Sequence, residues 1–260
     1  MFTIPLFDNK VGMEAKIGNV LTIETEYSKM KAAKLIEDIV IDSLFLQLPI
    51  EWQNLIDEII SGNKSTKRII ENAIDSGIIK IPEDSHLVKE YRPLFEILPN
   101  LHKRGVKVYC CQDNSMHETI SDLLNEILLL TIRARLGKIE PRKWKALLEE
   151  EAKIELELTE KCSMYILSKA KSRNLGVDLP REILESLKTK GFLIYEITLD
   201  VPSKPLDLLK YRIKQNLIKG EEISDEEVTY YVKEHVHFTE LIMRYGFDEA
   251  YRIWSQTKKD

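Results

Sequence analysis

Only three cysteines occur in the chain, Cys110, Cys111 and Cys162, and no two of them stand in C-x-x-C spacing. That removes the zinc-ribbon and thioredoxin-type readings, and with them a disulfide framework. Adjacent residues of a strand face opposite ways, so Cys110 and Cys111 read as small apolar side chains. No apolar run approaches the ~20 residues that would span a bilayer. The opening MFTIPLFDNKVGMEAK lacks the basic start and apolar stretch of a signal peptide. The expectation is a cytoplasmic protein with no membrane partner. The signatures GxGxxG, P-loop, GxSxG, HExxH and the kinase set are all missing, which removes the commonest nucleotide and hydrolase readings.

Histidine is scarce too. His86 and His102 have no constellation around them, and His235 and His237 lie two apart in a helical pattern, where they diverge and cannot share a metal. A formal charge of −5 argues against a general nucleic-acid binder, whose affinity rests on Lys and Arg at phosphates. It leaves a local basic face open. The one candidate is Lys138, Arg142, Lys143 and Lys145 around Trp144. Glu149, Glu150, Glu151, Glu155 and Glu157 follow closely, so this stretch reads as a mixed-charge, solvated helix.

What is present is an apolar content of 43%, adequate for a substantial core, and 31% charged residues rich in Lys and Glu, as in heat-adapted proteins. Residues 20–26 (VLTIETE) read as a buried strand, 28–40 as an amphipathic helix and 43–48 (SLFLQL) as a second strand. Helices are expected over 50–61 and 64–75, a short strand over 77–81, loop over 83–91, and a helix opened by Pro93 that Pro99 should kink. Strand 106–111 (VKVYCC) follows. This alternation predicts an α/β fold with a mainly parallel, Rossmann-like sheet.

After Cys111 the pattern turns helical. Ser115 and Glu118 make a capping box, a helix runs on to Arg135, a second covers 141–174, and a third 180–190. Residues 191–199 (GFLIYEITL) read as a strand returning to the same sheet. The predicted organisation is an α/β domain over 1–200, with a helical insertion at 115–190, and a helical C-terminal extension over 201–260 packing on it. Residues 2–7 are expected to form an edge strand. Long amphipathic helices of this kind suit homo-oligomers.

Five residues are candidates for chemistry. Glu24 and Glu26, two apart at the predicted end of the first strand, share a face there and suit a divalent cation or a general base. Equally, they suit the start of the following helix. Gln47 is a polar residue in an apolar strand and needs hydrogen-bond partners, from a ligand or from the core. Asp113 and His117 follow the third strand at the edge where open α/β sheets bind ligands, although Asp113, Asn114, Ser115 and Glu118 also serve as loop and cap. No cofactor is indicated, and no metal is assigned.

The order of these segments resembles the TraB/ChaN/erythromycin-esterase-like superfamily. The resemblance rests on the opening strand–helix–strand, on LFLQLPIEW (44–52) in the place of an acid-bearing strand, on Tyr91-Arg92-Pro93 leading to Lys103-Arg104-Gly105-Val106, and on the late strand. It implies the fold and a pocket, but not the hydrolytic or metal-dependent activity usual in such families. The chain departs where that activity would sit. Thr25-Glu26-Tyr27 replaces an expected histidine, Gln47 an expected glutamate, and Asp200-Val201-Pro202 a Gly/His signal. Three readings follow: a catalytically degenerate relative that binds a ligand or partner; a divergent metal-dependent hydrolase using Glu24, Glu26, Asp113 and His117; or a nucleotide or nucleic-acid sensing module.

Overall fold

A computed structural model describes residues 15–80, 85–113, 115, 117–199 and 204–257. In chain order the elements are β1 (Lys16–Leu21), α1 (Glu26–Asp38), β2 (Ser43–Pro49), a 3-10 turn (Ile50–Trp52), α2 (Gln53–Ser61), α3 (Thr66–Asp75), α4 (Ser85–Lys103), β3 (Lys107–Gln112), α5 (His117–Arg135) and α6 (Pro141–Lys169). They continue with β4 (Arg173–Val177), α7 (Arg181–Thr189), β5 (Leu193–Thr198), α8 (Pro205–Lys219), α9 (Asp225–Tyr245) and α10 (Phe247–Thr257). The chain divides into two compact units. One comprises Met1–Asn114 and Thr159–Asp200, the other Ser115–Leu158 and Val201–Asp260, the division falling inside α6.

The first unit is an α/β fold built on a five-stranded sheet of order β3-β2-β4-β1-β5, in which every neighbouring pair is parallel. From β1 the chain moves past β4 to β2 and on to β3; it then reverses, through β4 to β5. Right-handed crossovers running in opposite directions place their helices on opposite faces. The core follows that rule. Ala32, Ile36, Ile56, Leu94 and Phe95 pack with Leu44, Leu46 and Val177 on one face. Ile166, Ile183, Leu184 and Leu187 pack with Ile17, Phe45 and Cys111 on the other. Cys110 belongs to the first of these cores, so the two adjacent cysteines do face opposite ways.

Several boundaries differ from the sequence reading. β1 ends at Leu21, so Glu24 and Glu26 do not share a strand face. Thr25, whose Oγ1 accepts from the Ser28 backbone N–H at 3.1 Å, caps α1 in place of Ser28. Ser28 instead folds the preceding loop, accepting from the Ile23 N–H at 3.2 Å. Residues 77–80 form a turn, not a strand, and bury Ile79 in the core. The expected loop at 83–91 is helical from Ser85, and α4 passes through both Pro93 and Pro99. A proline inside a helix costs roughly 3 kcal/mol; here burial of Leu94, Phe95, Leu98 and Leu101 offsets it, each full burial being worth about 1.5–3 kcal/mol.

The largest correction is β4. The helix expected over 141–174 stops at Lys169, and Arg173–Val177 enters the sheet between β2 and β1. The block 115–190 is therefore interrupted by a central strand, while the helix expected over 180–190 is present as α7. β5 pairs in parallel with β1, as the late apolar run predicted. The expected edge strand at 2–7 lies outside the described residues, as does the side chain of Glu118 of the expected capping box. In the second unit, α5, the first part of α6, α8 and α9 enclose a core of their own, with Leu123, Trp144, Leu148, Leu209, Ile213, Val228 and Val232 buried. Among the described residues no helix is long and apolar enough to cross a membrane.

Candidate functional site

β1 and β4 are neighbours whose onward connections leave in opposite directions, so their carboxyl ends form a topological switch point, the place where open α/β sheets hold ligands. Three side chains meet there. The Lys29 ammonium, in the first turns of α1, lies 2.5 Å from Asp178 Oδ2 and 2.6 Å from Glu90 Oε1. It also donates to Thr22 Oγ1 at 2.7 Å and stands 4.9 Å from the centroid of the Tyr91 ring. Only 2% of the Lys29 side chain is exposed, against 8% for Glu90 and 24% for Asp178. A cation at a helix N-terminus opposes the helix dipole. Its place is explained by the two carboxylates.

Asp178 is the anchor of this cluster. It is the one non-glycine residue with positive φ (55°) among the described residues, a conformation that aspartate tolerates better than most. Its backbone N–H donates to Val20 O at 2.9 Å, extending the β1–β4 ladder. Its carboxylate accepts from the Thr22 N–H at 2.6 Å and the Thr22 hydroxyl at 2.7 Å. The loop behind it is clamped by Asn19, fully buried in β1, whose side-chain amide donates to Leu179 O and accepts from the Leu179 N–H, each at 3.0 Å. Asn19 stands in register with Gly176. A Cβ at Gly176 would overlap the Leu179 side chain and come within 3.2 Å of Asn19 Oδ1. Glycine is required there by close approach.

Electrostatics fix the protonation states. Burial pulls the Lys29 ammonium down, but Asp178 and Glu90 outweigh it and hold its pKa above 10.5. Lys29 is thus a charged donor, not the neutral amine a Schiff-base enzyme needs. Burial raises Glu90, with Glu24 and Asp178 adding to the rise against the pull of Lys29. Burial also drives the Tyr91 phenol well above its ordinary range; its hydroxyl donates to Gln47 O at 3.4 Å.

Of the five candidates, the four whose side chains are described do not converge. Glu24 is exposed in the β1–α1 loop, near enough to act on Glu90 and Tyr91. Glu26 is the first residue of α1, an acid in a helix first turn. Gln47 is half-buried in β2, and its amide donates to Cys111 Sγ at 3.6 Å. Asp113 follows β3 and pairs with Lys161 at 3.9 Å. β3 is the sheet edge, two strands from β4, hence about 10 Å from it. The side chain of His117 lies outside the described residues. Among the described residues no group of three or more His, Cys, Asp or Glu side chains could hold a metal ion. Two of the cysteines are poor nucleophiles as well: burial pushes the Cys110 thiol up to about 12, and a hydrogen bond with Cys162, together with burial, holds the Cys111 thiol well above its ordinary value.

Sequence reasoning passed over Lys29, Glu90, Asp178, Thr22 and Tyr91. One signal was available: Lys29 stands three, four and seven residues before Ala32, Ala33 and Ile36, on the face of α1 that is buried. A charge there needs a partner.

The fold and this charged centre define an α/β protein with its candidate site at a topological switch point. Compared with known proteins, the chain matches no family model, and no curated protein or solved structure shows significant similarity to it.

Proposed function

We propose that the protein is a cytoplasmic, non-hydrolytic α/β binding protein whose ligand sits outside the carboxyl ends of β1 and β4. The observation that carries this reading is the Lys29 ammonium: between Asp178 and Glu90, at 2.5 and 2.6 Å, it occupies the position that a catalytic cation would take between two carboxylates. An internal ammonium offsets one of the two negative charges and offers no Lewis acidity or open coordination position. Gln47, an amide that cannot act as a base, supports the same conclusion, and within a TraB/ChaN-like relationship it marks a catalytically degenerate member. The groups reachable from solvent, Glu24 and the partly exposed Asp178, are acidic. They suit a ligand that is cationic or rich in hydroxyl donors, and they disfavour a nucleotide phosphate.

A thermal-shift screen tests this, because a ligand that binds only the native state raises the melting temperature by mass action. The probes are Mg²⁺, Mn²⁺, Zn²⁺, ATP, spermidine and simple sugars. The expected result is stabilisation by an amine or polyol, weakened in Glu24→Gln, and none by the divalent ions. Stabilisation by a divalent ion, with ester hydrolysis that depends on that ion and is lost in Asp178→Asn, would overturn the proposal in favour of a metal-dependent hydrolase.

A further inference from the structure

One apolar surface has no counterpart in the fold. α5 buries Leu123, Ile127, Leu130 and Ala134 in the core of the second unit, yet its opposite face carries Leu124, Leu128, Leu129, Ile132 and, just beyond the helix, Leu136. These five are between 47% and 74% exposed. At 1.5 Å per residue they form a stripe about 18 Å long. Arg135 Nη1 lies 3.3 Å from Met243 Sδ, which carries the surface onto α9, where Met243 is itself exposed. Together the side chains present roughly 500 Å² of apolar area, near the upper end of what a monomer ordinarily shows.

We propose that this face of α5 pairs with the same face of a second copy of the chain, the two helices running antiparallel about a two-fold axis near Leu130. Charge decides both the occupant and the direction. Acids, Asp122 and Glu126, flank the start of the stripe, and bases, Arg133, Arg135 and Lys138, flank its end. Antiparallel pairing sets acids of one copy beside bases of the other; parallel pairing stacks like on like. A two-fold centred on residue 130 brings Leu124 to the partner's Leu136, Leu128 to the partner's Ile132 and Asp122 to the partner's Lys138. The groove alongside, about 370 Å³ between α5 and α6, repeats the pattern. Leu129, Leu130, Ala146 and Leu147 line it, with Glu126 and Glu150 against Arg133 and Lys143 at its rim.

A rim of balanced sign is self-complementary, as an isologous interface requires. An anionic membrane would call for a Lys/Arg-rich margin, and a nucleic acid for a uniformly basic one. Doubling the area gives roughly 1,000 Å², the lower bound for a specific interface and the size class of weak, transient contacts, so the dimer is expected to form reversibly.

Sedimentation velocity of the full chain, from low micromolar to several hundred micromolar, tests the inference. The expected result is a concentration-dependent monomer–dimer equilibrium. It is lost throughout that range in Leu128→Asp/Ile132→Asp, whose exposed positions leave the melting temperature close to that of the parent. Asp122→Lys alone weakens the dimer at least tenfold, and adding Lys138→Asp restores it. A wild-type chain monomeric at every concentration, or a dimer unchanged by Leu128→Asp/Ile132→Asp, would overturn the inference. So would co-flotation of the wild-type chain with phosphatidylcholine–phosphatidylserine vesicles that the double variant abolishes. Failure of the Lys138→Asp rescue would refute the antiparallel register.

Discussion

Replacing Lys29 by methionine keeps the length of the side chain and removes its charge. At 2.5 and 2.6 Å each ammonium–carboxylate contact is worth about 6 kcal/mol of gross attraction at an effective dielectric of ~20. Desolvation costs several kcal/mol per buried ion and cancels much of that. The intact cluster therefore contributes little net stability. Its truncation is different, because Glu90, 8% exposed, is left without its cation, and breaking a buried pair on one side costs about 3–5 kcal/mol. The loss should depend on pH. Without Lys29, Glu90 keeps the burial and the neighbouring Glu24 and Asp178 charges that raise it, so its folded-state pKa rises further above 4.5. The folded state then binds a proton that the unfolded state has released, and stability falls as pH rises through that window.

The variant should thus lose more stability between pH 5 and pH 8 than the parent, in which the Lys29 ammonium, charged throughout that range, offsets part of the rise of Glu90. Urea unfolding followed by Trp52 fluorescence reads the first unit in a Trp144→Phe/Trp254→Phe background, since the chain has three tryptophans. Lys29→Met/Glu90→Leu, which removes both charges, should recover most of the loss. A Lys29→Met chain within about 1 kcal/mol of its parent at pH 8, and no different at pH 5, would show that the centre is well solvated and refute the reasoning.

Gly176→Ala should cost about 1–3 kcal/mol, because the added methyl overlaps Leu179 and overpacking forces the neighbour aside. The double variant with Leu179→Ala should cost less than the sum of the two single changes by urea denaturation; strict additivity would mean that the loop moves freely. In the second unit, burial, with help from Lys204 and Lys210, depresses His235 from 6.5 to about 4, its ring lying 3.2 Å from Thr131 Oγ1 and edge-on to Trp144. The folded state resists protonation there, so His235 contributes stability that is complete above pH 6.5 and lost as pH falls toward 4, up to about 3 kcal/mol. Unfolding monitored by Trp144 and Trp254 fluorescence at pH 7 and pH 4.5 should show this loss, and His235→Gln should flatten it. An equal acid sensitivity in that variant would place the titrating group elsewhere.

The strands that were legible are those whose apolar runs need no explanation from elsewhere. SLFLQL and VKVYCC are buried on both faces and read as such, and GFLIYEITL stands out against its helical surroundings. RNLGV was not legible. Its Asn174 spends its amide on Lys16 O and on the backbone of Lys171, and its Gly176 exists to admit Asn19 and Leu179. Polar and small residues in a central strand are satisfied by partners about 160 positions away, as the Asn19–Leu179 pair is, and local pattern carries no trace of them. α4 was missed at its start for a different reason. Pro82, Glu83 and Asp84 signal a break, yet Leu87, Tyr91, Leu94, Phe95, Leu98 and Leu101 hold a helical period straight through two prolines.

The same argument explains why the Lys29 cluster is not legible in the sequence: acids and histidines near predicted strand ends suggest groups that surround a bound cation, and nothing local marks a lysine in a helix as the centre of a site. Lys29 becomes significant only when Glu90, 61 residues on, and Asp178, a further 88, are brought to it, and Asp178 follows the strand that sequence did not show. One of the two countercharges this centre needs is carried by the chain itself, as the Lys29 ammonium. An exogenous metal would have to displace an ammonium held by two carboxylates and a hydroxyl, at the cost of leaving that ammonium buried beside the metal. The internal ammonium therefore makes a metal unfavourable at this edge, and the proposed ligand would meet Glu24 and the exposed side of Asp178.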